Sequence, residues 1–334
     1  MDKKWFVIDA HNHYIPRDAT RLASAADGTD YAASLKRIPS AYDANYDMDE
    51  RLRIMDEAGV DMAVLEQSAW SPRGLEMCKA LTDSYADVEK KYPHRFIPCA
   101  HLPLESGQKV LDELDRAINE LGFKGLSLVS STEKYTLDSE EMFPLFEMVS
   151  NLDIPIAVHP STRLGLWGGS KHGLSFHVSR EYDVAKATAE VMYGVLPRFP
   201  DLKFMMPHHG GGIPSQKGRM MAWHEPKGWQ VPEKIKGLPK TPREIKELGL
   251  DYDFENLFGK LYFDTAGFGG WMPITEAAIK TIRSHRLCFG TDFPFEIHEA
   301  RDIKEFIDNI KGLDISEQDK KNVLGENVKR LFKL

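Results

Sequence analysis

Eight short apolar runs, alternating with polar loops and amphipathic stretches, constrain the fold of this 334-residue chain more than any other feature. The runs are Trp5–Asp9, Met62–Glu66, Phe96–Ala100, Gly125–Val129, Ile154–Val158, Leu202–Met206, Leu261–Asp264 and Leu287–Gly290. Helical spacing fills the gaps, beginning with Met48–Ala58, which sets Leu52, Met55 and Gly59 on one face. Leu75–Tyr92, Gln108–Leu121, Ser139–Leu152, Tyr182–Pro197, Ile274–Ser284 and Arg301–Lys311 follow, and Glu317–Phe332 closes the chain. Gly59, Gly122 and Gly194 fall where a helix must hand over to a strand. Strands alternating with helices predict a parallel sheet, and eight repeats predict a (β/α)₈ TIM barrel, one domain over residues 1–334. The alternative is a doubly wound open sheet. It calls for a glycine-rich G-x-G-x-x-G turn after an early strand, and the first third of the chain has none.

Two stretches break the rhythm, at about 17–47 and 224–259. Arg17–Asp47 is rich in Ala, Ser, Asp and Tyr; His224–Gly259 carries Trp229, prolines and many lysines. Both read as loop insertions on the face of a barrel where loops build the site. Composition bounds the rest. A net charge of −8, with no basic tract, argues against a nucleic-acid partner. Cys78, Cys99 and Cys288 are widely spaced and never form C-x-x-C, as in a reduced, cytoplasmic protein. No apolar stretch approaches the roughly 20 residues of a membrane span, and the N-terminal run is too short for a signal peptide.

The chemistry sits at the ends of the apolar runs. His11 and His13 follow the first; residues i and i+2 of a strand share a face, so both imidazoles can reach one ion. His159 follows the fifth run, His208 and His209 the sixth, and Asp292 the eighth. One His after one strand is usually a hydrogen-bonded loop residue, and an Asp in GTDFP can simply cap a turn. Together they are different. A barrel gathers all these ends on one face, where His11, His13, His159 and Asp292 form a mixed nitrogen and oxygen shell suited to Zn²⁺, with Mn²⁺ or Co²⁺ also served.

The motifs DAHNHYIP, MDEAGVD, IAVHP, FPDLKFMMPHHGGGIP, LYFDTAG and FGTDFPF occur in that order. Over nearly its full length the chain thereby resembles the amidohydrolase superfamily, in the amidohydrolase-related branch of aminocarboxymuconate-semialdehyde decarboxylase and related aromatic-acid decarboxylases. The resemblance implies His11, His13, His159 and Asp292 as ligands of a single metal, and His208 as the catalytic histidine of H-x-G-x-x-x-P. His209 is then a neighbour turned to the opposite face. Binuclear members use a lysine at the end of strand four. Here Lys124 lies at the beginning of that strand and Ser130 or Ser131 at its end, as a mononuclear site requires.

Arg51 and Arg219 align with arginines that hold the substrate carboxylate in the decarboxylase prototype, the second supplied by a partner subunit, which implies a homodimer. A guanidinium fork suits that task, although helix arginines commonly pair with nearby acids instead. Arg163 and Arg73 are further candidates, and Trp70, Trp167, Phe293 and Phe295 are candidates for an aromatic wall or a plain cover for the barrel end. The expectation is a metal-dependent, non-oxidative decarboxylase of a small carboxylated aromatic or unsaturated acid. It needs no organic cofactor, and His208 and Asp292 move the proton. The same shell also serves a lactone, ester or amide hydrolase, or a hydratase. Retention of His11, where many decarboxylases of the branch carry glutamate, favours the semialdehyde-decarboxylase type or a hydrolase.

Overall fold

The computed structural model describes residues 5–28, 44–161, 171–224 and 253–334. Eight strands run in chain order: β1 (Ile8–His13), β2 (Met62–Glu66), β3 (Phe96–His101), β4 (Gly125–Val129), β5 (Pro155–His159), β6 (Lys203–Met206), β7 (Tyr262–Asp264) and β8 (Leu287–Cys288). Each pairs in parallel with the next. The segment after β8 then returns to β1. Ala10 N donates to Phe289 O at 2.7 Å, Asp292 N to His11 O at 3.1 Å, and His13 N to Phe293 O at 2.7 Å. β1 therefore has a partner on both sides, as in a TIM barrel and unlike an edge strand of an open sheet.

β1 starts later than the apolar run and continues through both histidines, so they belong to the strand itself. Its register against β2 slips by one residue: Asp9 lies opposite Ala63, yet Asn12 lies opposite Leu65. Such a bulge reverses the alternation of side chains. Below it, Ile8 and Ala10 pack with Val64, Cys99, Ala157, Met205, Tyr262 and Cys288 in one apolar cluster. Above it, His11 and His13 face the same interior. Val328, Leu331 and Phe332 of the C-terminal helix Asn327–Phe332 belong to that cluster and plug the barrel opposite the histidines. Larger aliphatic and aromatic residues on the outer strand faces, including Leu65, Leu128, Ile156, Phe204 and Phe263, pack under the helices.

The expected helices form, with corrections. Met48–Ala58 is capped by Asp47, whose side chain accepts from Asp49 N and Glu50 N, and it ends at Gly59 with φ of 82°. Its buried face is Met48, Arg51, Ile54, Met55 and Ala58, with Leu52 only half-buried. The core face is rotated because it takes in Arg51. The first insertion is not a loop throughout: Arg17–Asp27 is a helix. The rest of it up to residue 43 lies outside the described residues, as does most of 224–259. Gly194 is inside a helical turn, Val191–Val195, rather than at a handover, and a side chain there would strike Asp138.

Candidate metal centre and catalytic face

Strand parity brings the site together. With Val64, Cys99, Ala157, Tyr262 and Cys288 pointing inward, the residues two further on also point inward. On β2, β3, β5 and β7 these are Glu66, His101, His159 and Asp264. Every one is buried, as are His11, His13, His208 and Asp292. His11, His13, Glu66 and His159 offer ligand atoms that all lie within 4.8 Å of one another, and among the described residues this is the single group of its kind. Asp292 Oδ1 adjoins it, 2.7 Å from His13 Nε2 and 3.8 Å from His11 Nε2.

Two of the imidazoles are held from behind. His11 Nδ1 is 2.9 Å from Asp264 Oδ2, and His13 Nδ1 is 3.1 Å from the carbonyl of Glu66. Such contacts fix tautomer and ring plane and leave the other nitrogen for an ion. Among the described residues, His11 Nε2 is buried with no hydrogen-bond partner, and so is Glu66 Oε1. Orphaned buried donors and acceptors are costly, and their convergence here fits a divalent cation.

The electrostatics agree. Burial alone would lower the pKa of His11, but Asp264, Asp292 and Glu66 outweigh it and raise it to about 9. His13 is likewise raised, to about 10, by Glu66 and Asp292 against the effect of burial. The Glu66 and Asp292 carboxyls are held well below their ordinary range despite burial, mainly by the histidines. Burial drives His159 down to about 3, with His13 and His11 adding repulsion. Three buried carboxylates, Glu66, Asp264 and Asp292, thus draw positive charge into the cluster, as a site for a divalent ion would.

His208 stands beside this group on a strained backbone. β6 ends at Met206, and His208, His209, Gly210, Gly211 and Gly212 all take positive φ, between 53° and 78°. Two consecutive non-glycine residues there cost about 1–2 kcal/mol each. The left-handed turn lets the helix Ser179–Glu190 approach so closely that a side chain on Gly211 would strike Glu181 O and Ala185 N. Glu181 thereby reaches the site. Its Oε1 lies 2.7 Å from His208 Nδ1, leaving His208 Nε2 buried, unpartnered among the described residues, and 3.9 Å from Asp292 Oδ2. Asp264 couples the two halves, since Oδ1 accepts from His208 N at 2.8 Å while Oδ2 holds His11. Arg180 spans Glu181, Asp292 and Glu296 at 3.0, 3.3 and 3.4 Å.

The structure thus brings together His11, His13, His159, His208 and Asp292. His209 turns away, against Phe268 and 3.4 Å from Thr275. The strand does not persist to that point, so the left-handed turn separates the pair rather than strand alternation. Trp70 and Phe295 share one apolar cluster, and the Phe295 ring lies 5.3 Å from that of His13. Phe293 is buried beneath Arg51, and Arg73 covers Trp70. Arg163 and Trp167 lie outside the described residues. Lys124 is exposed at the start of β4, and Ser130 and Ser131 at its end both donate to the buried Asp183.

Arg51 requires a correction. It is completely buried, donating through Nη1 to the Asn12 side chain and through Nη2 to the carbonyls of His13 and Ala44, the last at 2.8 Å. Its fork is spent on the backbone behind the metal group, because Asn12 and His13 point to opposite faces of β1. Arg219 is exposed on the helix His208–His224 and contacts none of the cluster residues. Among the described residues, the guanidinium within the site is that of Arg180. Glu66, Asp264, Arg180, Glu181 and Glu296 escaped the sequence reading. Glu66 and Asp264 had a signal, since each ends an apolar run; the other three come from helix and loop positions with no local pattern.

The geometry defines a parallel (β/α)₈ barrel with a buried histidine–carboxylate metal group at the C-terminal ends of its strands. The amidohydrolase family profile matches residues 8–334, and the chain belongs to that family. It is 29% identical over 308 residues to the gamma-resorcylate decarboxylase of a Polaromonas species, covering 86% of this chain and 87% of that one. It is 26% identical over 347 residues to the 2-amino-3-carboxymuconate-6-semialdehyde decarboxylase of Dictyostelium discoideum, covering 96% and 89%. Among solved structures, a Polaromonas dihydroxybenzoic acid decarboxylase with bound manganese and 2-nitroresorcinol superposes with a TM-score of 0.76 at 24% identity, covering 98% and 97%.

Proposed function

We propose that this chain is a metal-dependent, non-oxidative decarboxylase of a small carboxylated aromatic or unsaturated acid. One observation carries the reading. His11 Nε2 and His208 Nε2 are both buried, lack partners and flank Asp292, in a chain whose relatives include two kinds of decarboxylase. His11, His13, His159 and Asp292 would hold one divalent ion. A nitrogen-rich shell suits zinc, and manganese and cobalt are also accommodated. When bound, the ion supplies Lewis-acid attraction for the substrate's oxygen atoms.

The chain's own residues do the rest. Phe295 lies against His13 and shares an apolar cluster with Trp70, and a planar ring would fit against such a surface. The bond from substrate carbon to carboxylate breaks, CO₂ leaves, and the electron pair stays on the carbon. His208, its tautomer set by Glu181, delivers or relays the proton that takes the place of CO₂, with Asp292 Oδ2 as its partner. Arg180 steadies Asp292 and faces the developing negative charge. The reading includes a cytoplasmic location, supported by three buried free cysteines, and one barrel domain spanning the chain. It also includes a homodimer, in which the exposed Arg219 is available to a neighbouring copy.

Incubating the metal-loaded protein with hydroxybenzoates, carboxymuconates and lactones tests the reading, with CO₂ and acid release scored separately. CO₂ from a carboxylated acid supports it. Acid release from lactones without any CO₂ would assign the site to hydrolysis.

A further inference from the structure

Glu66 is the one residue of the metal group that the histidine–aspartate shell leaves without a task. Its two carboxylate oxygens have different surroundings. Oε2 is anchored, accepting from Ser68 N at 3.1 Å and from Ser127 Oγ at 3.1 Å. Oε1 is buried, has no hydrogen-bond partner among the described residues, and is aimed at the Nε2 atoms of two imidazoles, 3.6 Å from His11 and 3.9 Å from His159; it also lies 3.0 Å from His13 Nδ1, the nitrogen bonded to the Glu66 carbonyl. The in-line partner of His13 Nδ1 is the Glu66 carbonyl, so that proton does not satisfy Oε1. Ligands on one ion with bonds of about 2.1 Å lie about 3.0–3.5 Å apart, so the 3.6 and 3.9 Å separations from His11 and His159 Nε2 need only a small contraction. Glu66 and Asp292 also face the same nitrogen, His11 Nε2, at 3.6 and 3.8 Å.

Charge points the same way. Among the described residues, the ion pairs of Glu66 are all with histidines. Imidazoles must be neutral to bind a metal, and in that state they cannot balance a buried carboxylate. A buried charge is stable when paired or coordinated. The ion is what remains to neutralise Glu66.

We propose that Glu66 is a further protein ligand of the bound ion, so that the shell has three imidazoles and two carboxylates. The inference rests on the metal-dependent reading above. An added oxygen donor moves preference from zinc towards manganese, since carboxylates suit the harder ion.

The test uses full-length protein loaded with Mn²⁺ or Zn²⁺, in wild-type and Glu66→Gln forms. Gln retains the shape of Glu66 and can accept from Ser68 N and Ser127. A crystal structure or X-ray absorption of the loaded wild type should place Oε1 about 2.0–2.2 Å from the ion. Chelator competition should show E66Q losing Mn²⁺ affinity by on the order of tenfold or more, with a smaller loss for Zn²⁺. An ion held with Oε1 beyond about 3 Å, or the same small loss for both metals, overturns the role of Glu66 alone. Wild-type protein that takes up no ion contradicts the metal-dependent reading as well. If E66Q fails to fold, the wild-type ion–Oε1 distance still decides.

Discussion

Glu181 Oε1 lies 2.7 Å from His208 Nδ1, although the two residues come from helices that follow different strands. The contact depends on the left-handed turn His208–Gly212, which lets one backbone approach the other. It sets which imidazole nitrogen faces the metal group. Glu181→Gln keeps the shape but can present its amide N–H to Nδ1 and favour the wrong tautomer. We expect kcat to fall by one to two orders of magnitude with KM and metal content little changed. Steady-state kinetics with metal analysis check this, and an unaltered kcat contradicts it.

Gly267 is the other support of that histidine. It has φ of 83°, and a side chain there would meet the His208 ring. Gly267→Ala should displace the imidazole, cutting turnover sharply while metal content is retained. The strained φ should cost about 1–2 kcal/mol in stability. Denaturation and turnover, measured on the same preparation, separate the two effects.

Arg51 holds the strand that carries the metal-binding pair, through Asn12 and the carbonyls of His13 and Ala44. Arg51→Ala leaves these buried acceptors unsatisfied, and we expect a loss of about 2–4 kcal/mol, seen as a lower denaturation midpoint. Metal affinity should drop with it. A raised KM at unchanged stability would instead return Arg51 to substrate binding.

Glu190 gives the fold a pH dependence away from the site. Burial raises its carboxyl from 4.5 to about 7, against the attraction of Lys186. Between those values the folded chain holds a proton that the unfolded chain has released, so stability falls as pH rises from about 4.5 to 7. The shift corresponds to at most about 3 kcal/mol at 1.36 kcal/mol per pH unit. Glu190→Gln should match wild type near pH 4 and be the more stable protein at pH 8. Equal stability at pH 8 in urea titrations counts against the assignment.

The parts legible in the sequence were those with local causes. Apolar runs of strand length placed the eight strands, and a polar residue just past a run marked His159 and Asp292. The bulge between Asp9 and Asn12 left no local trace, because it is set by pairing with β2. Glu66 and Asp264 were visible as strand-end carboxylates, and strand parity would have turned them inward alongside Val64 and Tyr262. Arg180 and Glu181 have no such signal, since only the packing of their helix against the glycine turn brings them to His208. Arg51 misled for the opposite reason: a charged residue on an amphipathic helix occupies the core face because Asn12 and two carbonyls await it there.

Isotope-labelled turnover of an active carboxylated substrate distinguishes decarboxylation from hydrolysis at this site. In D₂O we expect one CO₂ released per product, and one deuterium on the carbon that carried the carboxylate. In H₂¹⁸O the product should contain no solvent oxygen, and His208→Ala with metal retained should yield neither gas nor label. Product that carries ¹⁸O with no CO₂ released would contradict decarboxylation and make the same site a hydrolase or hydratase.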